Sequence, residues 1–444
     1  MPLLIVALGV VLLIFLITKL KLNTFVSLII TAFAVALVLG IPLDKVPTVI
    51  TDGLGSQLGS LVIVFGMGSM IGKLLSESGG GHRIANTLIE KFGRKHIQLA
   101  VILASFIIGL ALFFEVGLVV LLPIIFIIAK ELEVPLMELA IPMAATLNVM
   151  HGFIPPHPAP TAISEIFKAN IGQVIIYGLI VAIPTVIISG PLYNRFLRKV
   201  MPGVYRVQDE IPALGEVKEF DLKDTPKFGI SVVTAMMPVI LIGLATIIEF
   251  MIPKGTMAYK IVAFIGNENV AMLISLIFAI FTMGVGQHIS MKKISSIMET
   301  AIVQIAGMLF IIGGGGAFKQ VLVSGGISDY ISNIFTNIHM SPLLAAWIIT
   351  AILRVSLGSS TVAALTGAGL VTPLIAQTGA NPALMVLAVG AGSVFGGHVN
   401  DAGFWMVKEY FGLSLKETFA AWSPLTCLIG VSGLLSILCL SLFV

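Results

Sequence analysis

Residues that could do chemistry gather in four short stretches of an otherwise apolar sequence. The stretches read FFEVG (113–117), HGFIPPHPAP (151–160), LGSSTVAALTGAG (357–369) and GGHVNDAGF (396–404). Together they supply carboxylates, imidazoles, hydroxyls and an amide, which can exchange protons and hydrogen-bond a polar solute. The candidate site residues in them are Glu115, His151, His157, Ser359, Ser360, Thr361, His398, Asn400 and Asp401.

The strongest single candidates are Glu115, Arg354 and Asp401, which are ionisable residues inside apolar runs. Charges at such positions are costly, so they usually face a cavity or one another. Arg354 has two interpretations. It either pairs with Glu115 or Asp401, or it holds the carboxylate of an anionic substrate through its bidentate guanidinium.

Both segments that carry histidines also interrupt apolar runs. The segment His151–Pro160 contains four prolines, which break helices, whereas Gly396–Phe404 has glycines in their place. Non-helical backbone at membrane depth is tolerated only where protein or a watery cavity surrounds it. A loop at the membrane surface is the alternative, but two interruptions at matching places favour a site.

Hydroxyl residues at the predicted hairpin tips could hydrogen-bond the hydroxyls of a substrate. Helix N-termini at the same tips would add positive potential for an anion. The alternative role for Ser359, Ser360 and Thr361 is close helix packing by small residues.

Several other functions lack the residues they need. The glycine run Gly313–Gly316 has no Lys-Ser/Thr ending and so indicates close helix packing instead of a phosphate loop. Walker, HExxH and CxxC motifs are absent from the sequence, and a Ser359/His398 combination is too common to indicate a hydrolase. We therefore expect neither an enzyme nor a cofactor or metal site.

Composition places these motifs in a membrane protein. Of 444 residues, 57% are hydrophobic and 11% are charged, against about 25% charged in soluble domains. A spanning helix needs about 20 apolar residues. Such stretches run over Pro2–Thr18, Thr24–Leu39, Ile171–Ser189, Ile230–Ile252, Ile261–Met283 and Leu425–Val444. The net charge of +3 is spread over the loops without a basic cluster, so nucleic acid is not an expected partner.

Basic residues predict the topology, because they accumulate in cytoplasmic loops. They mark Lys19 with Lys21, His82–His96, Arg195–Lys227, and Lys292 with Lys293. The third segment is a cytoplasmic linker (195–227) between an N-terminal membrane repeat (1–194) and a C-terminal one (228–444).

The apolar run between Lys95 and Lys130 is too long for one span and short for two. Basic residues flank it on both sides, so the chain should return to the side it left. A re-entrant hairpin that turns near Phe113–Gly117 fits both facts. Two short spans of about 17 residues are the alternative.

The two halves match each other at a shift of 246 positions, which places Lys73 on Lys319 and Ser78-Gly79-Gly80 on Ser324-Gly325-Gly326. The four chemical stretches then coincide in pairs. The first-half loop 76–96 is basic while its counterpart 322–342 has no Lys or Arg. These features predict an all-α polytopic protein with two inverted repeats. Each repeat has about five spans, one re-entrant hairpin and one broken helix, and both termini lie outside.

Four strings resemble the gluconate permease (gluconate:proton symporter) family, within the ion transporter superfamily. They are MPLLIVALGV, ALFFEVGLVVLLPIIF, PMAATLNVMHGFIPPHPAPTAI and LRVSLGSSTVAALTGAG, and the resemblance covers nearly the whole chain. It implies a homodimer with an elevator-like motion and a small sugar acid as the substrate, moved together with protons. It also carries Pro156 into the site beside the residues already named.

The leading prediction is therefore a multi-pass transporter in the inner (plasma) membrane of a bacterium, which imports gluconate or a related sugar acid with protons. A symporter for another small carboxylate such as D-serine is one alternative, and a cation/proton antiporter of the same architecture is another. An antiporter should need an acidic cluster, and the sequence offers only Glu115 and Asp401 as deep acids, with Arg354 to repel a cation.

Coupling needs a group that changes its protonation as the site turns from one side to the other. Histidine titrates near neutrality, whereas a carboxyl group does so only where burial disfavours its ionised form. We favour a carboxyl, with Glu115 ahead of Asp401, because a protonated acid is neutral and can lie in an apolar tip. The histidines are then expected to form hydrogen bonds. The predicted substrate-binding residues are His151, His157, His398, Arg354, Ser359, Ser360, Thr361 and Asn400.

Overall fold

The protein, seen as a computed structural model, is helical throughout apart from one pair of two-residue strands. The structure describes the chain except Met1, Phe113, Pro156, residues 208–209, 212–214 and 217–219, Phe250, Lys254 and residues 328–340. The predicted hairpin residue Phe113, the carried-over Pro156 and most of the predicted outside loop that follows Ser324 lie outside the described residues.

The first half contains nine helices within the described residues. They are α1 (Pro2–Thr18), α2 (Thr24–Val38), α3 (Val46–Glu77), α4 (Gly80–Ala111), α5 (Phe114–Glu131), α6 (Met137–Phe153), α7 (Pro158–Ile166), α8 (Ile171–Ile187) and α9 (Tyr193–Val200). A π-helical turn, Ile188–Leu192, joins α8 to α9.

The second half contains nine more helices within the described residues. They are α10 (Phe228–Glu249), α11 (Met257–Gly266), α12 (Glu268–Ala279), α13 (Met291–Ser324), α14 (Pro342–Leu357), α15 (Ser360–Thr378), α16 (Pro382–Ser393), α17 (Ala402–Tyr410) and α18 (Leu415–Leu440). The linker between the halves holds β1 (Glu210–Ile211) antiparallel to β2 (Gly215–Glu216).

Within the described residues, eight helical stretches are long and apolar enough to cross a membrane. The chain is therefore a multi-pass membrane protein, as its composition predicts. The predicted spans at Pro2–Thr18 and Thr24–Leu39 correspond to α1 and α2. The last predicted span begins ten residues too late, because Ser414 and Glu417 form a capping box that starts α18 at Leu415.

The predicted span Ile261–Met283 is wrong as a single helix. The backbone breaks at Asn267, whose side chain accepts a hydrogen bond of 3.1 Å from the amide of Asn269 and caps α12. Asparagine competes with the helix backbone in this way and therefore favours helix starts. The break brings the next residue, Glu268, to the start of a new helix.

Two long helices, α3 and α13, lie against each other in opposite directions. A hydrogen bond of 3.3 Å from the Ser69 hydroxyl to the Ala301 carbonyl joins them at one end. Near the other end, Gly53 and Gly316 face each other. A Cβ added to either glycine would lie 2.6 Å from the carbonyl oxygen of the other. Only glycine allows this backbone approach, so the prediction of helix packing for the run Gly313–Gly316 is confirmed.

Two helical hairpins and two broken helices surround the middle of the protein. Gly93 interrupts α4 with a φ of 68°, and the following part of α4 packs against α5 as one hairpin. The second hairpin is α14 with α15. The broken helices are α6 with α7, interrupted at Ile154–His157, and α16 with α17, interrupted at Val394–Asp401.

Helix bounds recur between the halves at the same shift that aligns the sequences. Moved by 246 positions, α3 would cover 292–323, where α13 lies, and α5 would cover 360–377, where α15 lies. The broken helices also coincide, since α6 would begin at 383 and α16 begins at 382. Three helices of the first half therefore have counterparts at matching positions of the second half.

Three of the four predicted cytoplasmic segments meet at one side of the protein. The Arg83 guanidinium donates to the backbone carbonyls of Leu222 and Pro226 in the linker. Since α3 and α13 are antiparallel, Lys292 at the start of α13 lies at the same side as Glu77 at the end of α3.

Candidate functional site

A cavity of about 310 Å³ lies where the two hairpin tips meet the two broken helices. Most of the predicted site residues line it. They are Glu115, His151, Arg354, Ser359, Ser360, Thr361, Asn400 and Asp401. The opposite wall comes from α3, α12 and α13 and includes Gln57, Glu268, Gly315, Gly316 and Lys319.

Among the described residues, five helices begin at this cavity. Its lining includes the first residues of α5 and α15 at the hairpin tips, of α7 and α17 after the helix breaks, and of α12, which begins at Glu268. Helix N-termini present unpaired amide groups and carry partial positive charge. Their convergence makes the cavity favourable for an anion.

Arg354 and Asp401 form a buried ion pair at the edge of the cavity. The Arg354 Nη2 atom lies 2.5 Å from Asp401 Oδ2, and the two side chains are 5% and 12% exposed. Asp401 Oδ1 accepts a second hydrogen bond, at 3.0 Å, from the amide of Gly403 and so caps α17. The ion-pair interpretation of Arg354 is therefore confirmed.

Substrate binding by Arg354 stays a prediction. Its Nε and Nη1 atoms are buried and have no hydrogen-bond partner among the described residues. Unpaired buried donors on a charged group are costly, so these atoms favour an additional partner at the cavity.

Asn400 joins the second broken helix to the second hairpin. Its amide nitrogen donates to the carbonyls of Val355 at 2.9 Å and Ser356 at 3.3 Å, which α14 leaves unpaired where it ends. The Asn400 Oδ1 atom and the neighbouring Trp422 Nε1 are buried without a partner in the described part of the chain. They offer one acceptor and one donor to a polyhydroxyl ligand.

Glu115 stands in the first turn of α5, at the tip of the first hairpin. The ring of the preceding residue, Phe114, stacks on Trp422 at 5.3 Å and also approaches the backbone near Gly403. These contacts hold the first tip against the second broken helix. Glu115 is half-buried and lines the cavity together with Asp401 and Arg354.

The three predicted histidines take different positions. His157 Nε2 lies 2.7 Å from the carbonyl of Gly109, and His398 Nε2 lies 2.8 Å from that of Val355. Neither is among the residues that line the cavity, so we leave both out of the proposed site. His151 lines the cavity, and its ring centroid is 5.4 Å from that of His157.

Sequence reasoning missed five polar residues of the cavity lining, namely Gln57, Asn148, Glu268, Lys319 and Trp422. Two of them carried a signal, because Glu268 and Lys319 are ionisable residues within long apolar stretches. The statement that Glu115 and Asp401 are the only deep acids was wrong, since Glu268 lines the same cavity.

Gly358 sets the closest approach between a hairpin tip and a broken helix. Its φ is +74°, and a Cβ there would lie 2.1 Å from the Asn400 carbonyl oxygen. A side chain therefore meets both a backbone conformation that L-residues disfavour and a direct clash.

We expect Gly358→Ala to abolish substrate uptake, because the tip must retreat from Asn400 and the cavity wall opens. Gly379→Ala is the matched control, since Gly379 ends α15, the other helix of the same hairpin, with a φ of +68° but has nothing within 4 Å of an added Cβ. That variant should lose only about 1–2 kcal/mol of stability from backbone strain. Transport assays on both purified variants check this, and equal uptake by the two would contradict it.

Comparison with known proteins identifies the family of this chain. Residues 1–443 match the sequence profile described as GntP family permease. The chain is 57% identical to the uncharacterized permease YojA of Bacillus subtilis, over 98% of both chains. It is 55% identical to the gluconate permease of the same organism and 49% identical to a high-affinity gluconate transporter of Escherichia coli, each over 100% of both chains. The chain therefore belongs to the GntP permease family, whose members are transporters and not enzymes.

Proposed function

We propose that this protein imports gluconate or a closely related sugar acid together with protons, across the inner membrane of a bacterium, by alternating access. One observation carries the proposal. The cavity combines five helix N-termini with buried polar atoms of Arg354, Asn400 and Trp422 that have no partner among the described residues. The names of the gluconate permease relatives support the same substrate.

A sugar acid suits this cavity in charge, polarity and size. The positive helix ends make the cavity as a whole favourable for an anionic solute, and a chain of hydroxyls can both donate to Asn400 Oδ1 and accept from Trp422 Nε1. The volume of about 310 Å³ lies at the lower end of the range for small-molecule sites, which begins near 300 Å³. A small solute of six carbons is therefore the expected cargo.

The packing of α3 against α13 supports an inverted repeat. These helices are counterparts at the shift of 246 positions, and they run in opposite directions. A two-fold axis in the membrane plane relates elements in this way. The hairpins, re-entrant from opposite sides, would then move with the broken helices relative to the α3–α13 pair, in a dimer of the kind that the family resemblance implies.

The inverted repeat makes a prediction about membrane sidedness. In a background without Cys427 and Cys439, Ser324→Cys should react with an impermeant maleimide from outside intact cells. Lys91→Cys should react only after the membrane is opened, because its loop carries the basic residues. Labelling of both positions from the same side would contradict the inverted repeat.

Glu115 is our proposed site of proton coupling. Asp401 already forms an ion pair with Arg354 and caps α17. Glu115, in contrast, belongs to a hairpin tip and forms no ion pair among the described residues. In the cycle that we propose, Glu115 takes up a proton with the substrate, crosses in the neutral form and releases the proton inside.

Flux measurements on proteoliposomes test the function. With the membrane potential clamped, an inwardly directed proton gradient should drive accumulation of labelled gluconate, and a protonophore should abolish it. Accumulation of D-serine in place of gluconate would select the alternative carboxylate substrate. Proton release driven by a gradient of Na⁺ or K⁺, without gluconate movement, would select the antiporter.

A further inference from the structure

Lys319 is a cation on the wall that faces the hairpin tips. It lies about one turn after Gly316 on α13, and the close approach of α3 at Gly316 brings Gln57 beside it. The Lys319 Nζ atom lies 3.2 Å from Gln57 Oε1. Lys319 is half-buried and lines the cavity together with Glu115 and Arg354.

Lys319 and Arg354 differ in how their positive charges are balanced. The positive charge of Arg354 is balanced by Asp401 at 2.5 Å. Lys319 has a neutral amide as its hydrogen-bond partner, and it forms no ion pair with the residues that the structure describes. Cations in membrane segments are costly unless they pair or serve a ligand. The carboxyl groups of Glu115 and Glu268 line the same cavity, but neither forms an ion pair with Lys319 among the described residues, so a negative ligand can bind there.

The corresponding lysine of the first half has a carboxylate partner within its own helix. Lys73 occupies the matching position on α3, and its Nζ atom lies 3.7 Å from Glu77, one turn along the same helix. At the equivalent place on α13, four residues after Lys319, the sequence has Val323. One lysine of the pair is therefore balanced by its own helix, and the other faces the cavity without such a carboxylate.

We infer that Lys319 binds the carboxylate of the transported sugar acid, while Arg354, Asn400 and Trp422 contact its hydroxyl end from the opposite wall. The inference rests on the proposed function and adds the orientation of the substrate. In the empty cavity, the acids that can face Lys319 are Glu115 from α5 and Glu268 from α12, since Asp401 is held by Arg354. The arriving carboxylate takes their place beside Lys319.

The test compares Lys319→Gln and Lys319→Arg with the matched control Lys73→Gln. Exchange of labelled gluconate is measured in proteoliposomes without a pH gradient, and unlabelled gluconate or D-glucitol is the competitor. D-glucitol keeps the hydroxyls and lacks the carboxylate. Loss of a charge-assisted hydrogen bond should weaken gluconate binding about 10- to 100-fold in Lys319→Gln.

Lys319→Arg should stay within about tenfold of the wild type, because it keeps the cation. Lys73→Gln should bind gluconate like the wild type, and D-glucitol competition should be unchanged in all three variants. A loss below about threefold in Lys319→Gln, or an equal loss for D-glucitol, would overturn the inference.

Unfolding midpoints of the purified variants separate misfolding from lost binding. If Lys319→Gln does not fold, Lys319→Arg decides alone, and a loss above about 100-fold there would overturn the inference because the charge is retained. A wild-type protein that exchanges no sugar acid would instead refute the proposed function. If it exchanges a related sugar acid in place of gluconate, the same series is repeated with that solute.

Discussion

Glu115→Gln should exchange gluconate across the membrane and fail to accumulate it against a gradient. Glutamine mimics the protonated acid, so the loaded carrier can still cross in both directions. Because glutamine cannot release a proton, the proton gradient cannot drive accumulation of the substrate. For one proton per substrate, a pH difference of one unit is worth about 1.4 kcal/mol, or about tenfold accumulation. In Glu115→Gln we expect no accumulation, that is, a ratio of inside to outside gluconate of about one.

The position of Glu115 gives the physical reason. It is half-buried at the tip of the first hairpin, in the first turn of α5, where the helix end favours an ionised carboxylate while burial opposes it. A nearby anionic substrate also opposes ionisation. Binding of the substrate and binding of the proton therefore favour each other.

Proteoliposome accumulation at an imposed pH gradient, measured beside exchange without a gradient, checks the prediction. Glu165→Gln is the control, because Glu165 is exposed near the end of α7 and does not line the cavity. Undiminished accumulation by Glu115→Gln would move the coupling role to Asp401 or to a histidine.

Arg354→Ala should abolish gluconate binding and also destabilise the protein. The loss of stability follows from the ion pair with Asp401. Removal of one partner from a buried pair leaves the other without compensation, which typically costs about 3–5 kcal/mol. The cap of α17 weakens as well, because Asp401 provides it.

A double variant separates the two roles of Arg354. Arg354→Gln combined with Asp401→Asn removes both charges, so the unfolding midpoint should recover most of the loss seen in either single variant. Gluconate binding should stay absent, because the guanidinium donors are missing. Stability is measured as the thermal unfolding midpoint, and binding as the shift of that midpoint by gluconate.

Two results would count against this assignment. Near-normal gluconate affinity in the double variant would show that Arg354 serves the fold alone. A double variant that is less stable than both single variants would show that the ion pair is not the reason for the destabilisation.

Much of the architecture follows from local sequence features. Long apolar runs can only be helices in lipid, because each backbone group must find a partner within its own segment. Prolines at 155–160 and glycines at 396–397 mark where the helices break, and the shift of 246 positions locates the matching helices in the second half. Charges in apolar stretches identified Glu115, Arg354 and Asp401, all of which line the cavity.

The errors occurred where one residue overrides an apolar pattern. Hydropathy merged α11 with α12, because a single capping residue, Asn267, weighs little in a window of 20 residues. Glu268 was missed together with this break. The placement of His157 and His398 away from the cavity also depends on which backbone carbonyls the folded chain leaves beside them.

By itself, the sequence determined a multi-pass transporter with two matching halves and a polar centre, because periodicity, breaks and buried charges are local properties of the chain. Only the tertiary structure decided which charges neutralise each other. Arg354 is 47 positions from Asp401, and Lys319 is 262 from Gln57, and no spacing rule predicts contacts between such distant segments. The close packing of α3 and α13 placed Lys319 opposite the hairpin tips. Because Arg354 pairs with Asp401, Lys319 is the cation that we propose for binding the substrate carboxylate.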